Sequence, residues 1–175
     1  VIVPCDYNQT RLATLALESH VGPTYLRFGR PKRPNFTSVD DDFQIGKAQT
    51  LVEGTDVSIF ANGHLVWEAL EAAKALQEKG ISAEVINVHT VKPLDEAAII
   101  ASAKKTGAVV TAEEHQYNGG LGESVARVLA QHQPTKQAFV AVNDSFGESG
   151  TPEELLEKYG LTAGHIVKAV DKVLD

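Results

Sequence analysis

The sequence predicts an α/β protein, a mostly parallel sheet covered by helices on both faces. Three observations carry this. Between residues 44 and 175, short β-branched and apolar runs alternate with stretches of helical periodicity, the pattern of strands joined by crossover helices. The stretch Val109 to Gln131 displays one whole unit: a buried strand, a charged and glycine-rich turn, then a helix with Leu121, Val125, Val128 and Leu129 on one face. Glycines follow the helical stretches at 80, 107 and 160, where a helix C-terminus favours them.

The elements follow in order. Val1-Ile2-Val3-Pro4 is a strand-like run. Arg11 to His20 is helical, with Leu12, Leu15, Ala16 and Ser19 along one face and Asp6, Asn8 or Thr10 as cap. Gly22-Pro23 turns the chain into a second strand, Thr24 to Phe28. Residues 1–30 thus read as a truncated βαβ unit. A lone parallel pair cannot bury both its faces, so its sheet is expected to continue in residues outside this chain or in a partner. Residues 31–43, rich in Pro, Ser and Asp, read as a linker.

The second domain spans 44–175. Strands are expected at Lys47–Val52, Val57–Ala61, Ala83–Val88, Val109–Ala112 and Phe139–Val142. Helices are expected at Leu65–Lys79, from Asp95 as cap to Lys105, and at Leu121–Gln131. Thr151-Pro152-Glu153-Glu154 combines a cap, Pro at the first helical position and a capping-box Glu, opening a short helix that stops at Gly160. Thr162 caps a last helix carrying Ile166, Val167, Val170, Val173 and Leu174. His89 to Leu94 is a loop, because Pro93 disfavours the α region at Lys92.

Composition narrows the function classes. The net charge is −7 and basic residues do not cluster, which argues against nucleic-acid binding. No apolar run approaches the ~18 residues of a membrane span. Cys5 is the single cysteine, so a disulfide framework is excluded and a reducing cytoplasm is the expected setting. The chain contains no Met and opens inside a structural unit, which suggests part of a larger assembly.

Several residues carry candidate chemistry. His64, His89 and His115 each follow a strand, so parallel strands would bring them to one edge of the sheet. That edge could hold an anion or a metal, or be fixed by hydrogen bonds at an interface; one shared edge does not put three imidazoles within ~2.1 Å of one ion. Acids beside them, Glu113, Glu114 and Asp144, could tune the imidazoles. Asn118-Gly119-Gly120-Leu121-Gly122 resembles a phosphate-cradling loop, but it has neither the P-loop ending nor a full G-x-G-x-x-G, and a tight strand-to-helix turn is the better reading. Arg27 and Arg30 stand three apart at the end of the second strand. An arginine fork there suits a phosphate ester, and a surface salt bridge suits it equally.

Five stretches, taken together, point to a family. They are GPTYLRFGRPK at 22–32, GHLVWEALEAAKAL at 63–76, VINVHTVKPLD at 85–95, VVTAEEHQYNGGLGESVA at 109–126 and NDSFGESGTPEELLEKYGL at 143–161. In this order they resemble the C-terminal part of transketolase, in particular the split bacterial and archaeal form with two separate polypeptides. The resemblance implies that residues 1–30 end the pyrimidine-binding domain, and that 44–175 form the C-terminal domain, a mixed five-stranded sheet that helps form a dimer. It implies transfer of two-carbon ketol units between sugar phosphates. Thiamine diphosphate and magnesium would act in the complete enzyme, on parts outside this chain, with none expected on these residues. It aligns Arg30 with the arginine that grips the substrate phosphate, and gives Arg27 a secondary claim. Pro4-Cys5-Asp6-Tyr7-Asn8-Gln9 resembles the family's P-x-D-x-x-E, with Gln9 where an acid is common. Deoxyxylulose-phosphate synthase, a 2-oxoacid dehydrogenase beta subunit and a non-catalytic assembly module remain alternatives.

Overall fold

A computed structural model describes all 175 residues. Five strands, β1 (Gln49–Val52), β2 (Val57–Ala61), β3 (Ala83–Asn87), β4 (Ala108–Gln116) and β5 (Lys136–Val142), form one sheet in the order β1-β3-β2-β4-β5. β2 lies at its centre, parallel to both β3 and β4, and β4 is parallel to β5. Only β1 runs antiparallel, against β3. The sheet is therefore mixed, mostly parallel and five-stranded.

Six helices surround it: α1 (Tyr7–Ala16), α2 (Leu65–Glu78), α3 (Glu96–Thr106), α4 (Leu121–His132), α5 (Pro152–Lys158) and α6 (Ala163–Leu174). Strand alternation divides the core in two. Val57, Ile59 and Ala61 of β2 face α2 and α6, where Leu65, Leu76, Ile166 and Val170 are fully buried. Phe60, between them in sequence, faces the other way, onto Ile99 of α3 and Leu121 and Val125 of α4. Burying each such side chain is worth about 1.5–3 kcal/mol, so both faces are needed to hold the central strand.

The caps fall largely as the sequence indicates. Asp6 caps α1, Asp95 caps α3, and Thr151 with Glu154 forms a capping box on α5. Thr162 occupies the cap position of α6 without capping it; its hydroxyl pairs with His165 Nδ1 at 2.9 Å, while Glu68 of α2 accepts from Ala163 N at 2.9 Å. α1 starts at Tyr7 rather than Arg11, because the Asp6 carboxylate engages Gln9 N. It gives way at Leu17 to a 3₁₀ turn, short of His20.

The largest departure concerns residues 1–30. They do not form two strands. Ile2 makes single bridges, parallel to Leu26 and antiparallel to Thr90, and the rest of both runs is irregular. The reason lies in the main chain: Val3 donates away from the 24–28 run, to His89 O at 2.7 Å. Residues 31–43 contain no helix or strand, and they are tied down. Asp6 Oδ2 accepts from Phe36 N and Thr37 N at 2.8 and 2.7 Å, and Phe36 packs on Trp67 with ring centroids 5.8 Å apart.

His89 shows what this packing does to a titratable group. It is 3% exposed, stacks on Phe43 at 4.3 Å and pairs its Nδ1 with Thr90 Oγ1 at 3.0 Å. Burial pushes its pKa down to about 4. The unfolded chain protonates this imidazole below its ordinary 6.5 while the folded chain resists. Stability is therefore full above pH 6.5 and declines as pH falls toward 4, by roughly 2–3 kcal/mol. Urea unfolding followed by circular dichroism across that window should show the decline, and His89→Phe should lose most of it.

Candidate functional site

The carboxyl ends of β2, β3 and β4 form one edge, and residues 1–3 cross it. Val3 donates to His89 O beyond β3, and Gly63 beyond β2 donates to Val3 O at 3.2 Å. Ile2 in turn accepts from Arg27 N at 2.9 Å and donates to Tyr25 O at 2.9 Å. The arginine-bearing segment thus hangs from a strap anchored to the sheet.

Arg27 and Arg30 separate from this point. Arg27 is half-buried, and its Nη2 donates to Glu114 O on β4. Its guanidinium therefore helps join the segment to the sheet. Arg30 is exposed and makes no hydrogen bond or ion pair within the chain. Between them, Gly29 lies against the His64 imidazole so closely that a Cβ there would run into the ring. His64 Nε2 is 3.1 Å from Glu114 Oε2, without the alignment of a hydrogen bond, and neither ring nitrogen has a hydrogen-bond partner. Burial pushes the His64 pKa below its ordinary value; Glu114 opposes this, and Arg33 and Arg27 add to it.

Three openings surround this junction. One, of about 170 Å³, lies among Arg27, Asn62, His64 and Glu114. A second, of about 350 Å³, separates Arg30, Arg33 and His64 from α5. A third, of about 650 Å³, runs beneath Tyr25 along Glu113, His115 and the 119–121 turn. Asn62 lines the first and third, and its Oδ1 is buried without a partner.

The three histidines reach the same edge and do not converge. His64 meets Glu114, His89 stacks on Phe43, and exposed His115 pairs its Nδ1 with Gln116 O at 2.8 Å. No three His, Cys, Asp or Glu side chains come together to hold a metal ion. β4 continues through Gln116, so Glu113, Glu114 and His115 belong to the strand rather than to a loop after it. Alternation then sends neighbouring acids opposite ways: Glu113 inward to α4, Glu114 to the His64 imidazole.

Glu113 explains the glycine-rich turn. Its carboxylate accepts from Leu121 N at 2.7 Å and Gly122 N at 2.8 Å, while Glu123 accepts from Gly119 N at 2.7 Å. Three of the four amides of the 119–122 turn are thus already engaged. Gly120 is required because a Cβ would meet the Glu113 carboxylate, and Gly122 because a Cβ would meet the Phe139 ring. Burial raises the Glu113 pKa, against the opposing pull of its two backbone bonds.

Sequence reasoning missed Arg33 and Asn62. Asn62 directly follows β2 at the centre of the sheet, so its position at the edge was readable from the strand order alone. Arg33 lay within the expected linker and carried no such signal. Gln9, where the family often has an acid, works as a neutral amide: its Oε1 accepts from Cys5 N at 3.0 Å and Asn87 Nδ2 at 3.1 Å.

This architecture, an open mixed sheet with an arginine-bearing strap across its carboxyl edge, matches known proteins. A family model described as the transketolase C-terminal domain covers residues 46–166. Over all of its 175 residues the chain is 48% identical to the 6-deoxy-6-sulfo-D-fructose transketolase subunit SqwH of Clostridium sp. (strain MSTE9), of which it covers 54%. It is 38% identical, over 169 residues, to one of the subunits of the apulose-4-phosphate transketolase of Phocaeicola vulgatus; the match takes in 96% of this chain and 54% of that protein. A solved split-gene transketolase, described as an inactive beta4 tetramer, superposes with a TM-score of 0.96 at 48% identity, over 99% of this chain and 57% of the other. The chain belongs to the transketolase C-terminal domain family. It spans about half the length of the relatives it matches.

The Glu113 cap yields a prediction. Glu113→Ala leaves two buried amides without acceptors and should destabilise the chain by about 2–3 kcal/mol in urea unfolding. Glu113→Gln, which keeps one acceptor, should cost less. Equal, negligible effects of both would contradict the capping role.

Proposed function

We propose that this chain is the C-terminal part of a thiamine diphosphate-dependent transketolase, transferring two-carbon ketol units between sugars that end in an anionic group. The observation that carries the reading is the unpaired Arg30 guanidinium at the junction of the strap and the sheet edge, in a chain of this family. A free guanidinium there suits a phosphate ester, which it can grip in bidentate fashion. Arg27 is a poorer candidate, because its guanidinium serves Glu114 O. The names of the two relatives support an anionic sugar, one carrying a sulfonate and the other a phosphate.

Thiamine diphosphate, when bound, supplies the carbon nucleophile of such a reaction. The residues of this chain do not fit that group or its magnesium: no acidic or imidazole cluster converges, and the amides of Gly119, Leu121 and Gly122 are engaged by the chain's own carboxylates. Under this reading the cofactor sits on a partner chain and the missing part of the pyrimidine-binding domain. The chain offers a face for such a partner. Tyr7, Val21, Tyr25 and Phe28 of residues 1–30 are all more than half exposed. A second copy completes the proposed assembly. Residues 1–30, 31–43 and 44–175 keep their proposed roles as domain end, linker and C-terminal domain. No helix is long and apolar enough to cross a membrane.

The test is Arg30→Ala in the assembled enzyme. Loss of a charged contact should lower kcat/KM for a phosphorylated ketose donor by about 1.5–3 kcal/mol, roughly tenfold to 150-fold. Unchanged kinetics would remove Arg30 from the substrate site. Assaying the assembly with xylulose 5-phosphate and ribose 5-phosphate, against pyruvate, separates ketol transfer from the synthase and dehydrogenase alternatives. Calorimetric titration of the isolated chain with thiamine diphosphate and magnesium should give no micromolar binding; tight binding would contradict the division of labour.

A further inference from the structure

Residues 28–34 run from the sheet edge into the stretch that reads as a linker, and they make no main-chain hydrogen bond with one another or with the rest of the chain. Pro31 and Pro34 supply no donor. Each follows an arginine, so Arg30 and Arg33 are both kept out of the α region. A stretch of this kind keeps one shape only if both of its ends are fixed. The near end is fixed at Arg27, whose N donates to Ile2 O at 2.9 Å and whose guanidinium donates to Glu114 O. The far end is fixed by Asp6.

Asp6 is 7% exposed, and both of its carboxylate oxygens are engaged. Oδ1 accepts from Gln9 N at 2.9 Å and from Thr37 Oγ1 at 2.6 Å. Oδ2 accepts from Phe36 N at 2.8 Å and from Thr37 N at 2.7 Å. Capping α1 needs only the bond to Gln9 N. The other three bonds clamp residues 36 and 37 onto the first turn of that helix, and an ionised acceptor makes them stronger than neutral ones. Asn8 reinforces the clamp: its N donates to Asn35 Oδ1 at 3.1 Å, and its Nδ2 to Thr37 O at 2.5 Å. On its other side Phe36 packs on Trp67 of α2.

We infer that Asp6 is a positioning residue: by clamping Phe36 and Thr37 to α1 it fixes the far end of residues 28–35, and with it the place that Arg30 takes beside the sheet edge. The expected linker is then a rigid joint between residues 1–30 and 44–175. The inference rests on the reading of Arg30 as a substrate contact, and it concerns a residue whose own oxygens are all engaged within the chain. Asp6 acts on turnover through Arg30. With the clamp released, Arg30 is anchored at one end only, next to Gly29, where the backbone is freest to swing.

The experiment separates clamping from capping. In Asp6→Ser the hydroxyl still caps α1 through Gln9 N, and it is too short to serve residues 36 and 37 as well. Amide exchange of the 175-residue chain should quicken about tenfold or more at Phe36 and Thr37, while the α1 amides keep their protection. In the assembled enzyme, Asp6→Ser should raise KM for xylulose 5-phosphate about tenfold with little change in kcat, since a misplacement of about one ångström can cost ~100-fold. A double-mutant cycle with Arg30→Ala tells positioning from general support. Acting through Arg30, Asp6→Ser costs nothing further in the Arg30→Ala background. An equal loss in both backgrounds would show a purely structural role and overturn the inference, as would unchanged exchange at Phe36 and Thr37. If Asp6→Ser does not fold, Thr37→Val, which keeps the cap and loses the hydroxyl, should raise KM severalfold with the same dependence on Arg30. Unchanged KM in both clamp variants, with Arg30→Ala impaired, would overturn this inference and leave Arg30 in place. Unchanged kinetics of Arg30→Ala would remove both.

Discussion

The structure depends on a few main-chain hydrogen bonds. Val3 donates to His89 O and accepts from Gly63 N, so residues 1–3 lie across the ends of the two central strands. Each such bond contributes only about 0.5–1.5 kcal/mol net, but a buried one left unmade costs about 1–3 kcal/mol. The strap is therefore held by the cost of releasing it. Everything that gives the edge its chemistry hangs from it. Arg27 N bonds to Ile2 O, its guanidinium reaches Glu114 O, and Gly29 settles onto the His64 ring. Arg30 follows and points to the space left over.

The continuation of β4 past its parallel partner β2 creates the second constraint. Had the strand stopped at Ala112, Glu113 and Glu114 would be adjacent loop acids with free choice of direction. Held in extended backbone, they face apart. One closes the N-terminus of α4; the other's carboxylate meets the His64 imidazole, and its main-chain oxygen accepts from the Arg27 guanidinium. The glycines at 120 and 122 belong to this arrangement: one leaves room for a carboxylate, the other for an aromatic ring. A motif that resembles an anion cradle is thus a helix capped by its own strand.

Much of this was legible in the sequence. The order of elements, the five strands, and most caps follow from periodicity, from β-branched runs and from Gly, Pro, Asp and Thr at the boundaries. What was not legible depended on contacts distant in sequence. Charges at Glu113 to His115 suggested a loop, because alternation is hard to see when only one face is apolar; the strand continues there by pairing Gln116 with Val142. The antiparallel direction of β1 leaves no trace in its own four residues. Val1 to Val3 reads as a strand, and its backbone is extended, but its partners are three different segments rather than one neighbour. The edge of histidines was correctly placed, yet their separate fates depend on Phe43, Glu114 and Gln116. Arg33 was invisible because nothing in a proline-rich stretch says that Nε will be buried.

The central claim is that residues 1–3 and the sheet edge form one cooperative structure that fixes the arginines. Amide hydrogen exchange measured residue by residue tests it most directly, at Val3 N and Gly63 N. The account predicts protection of both comparable to the amides of β2, lost only when the sheet itself opens. Fast exchange at Val3 and Gly63 while β2 stays protected would mean that the strap detaches freely, and would contradict it.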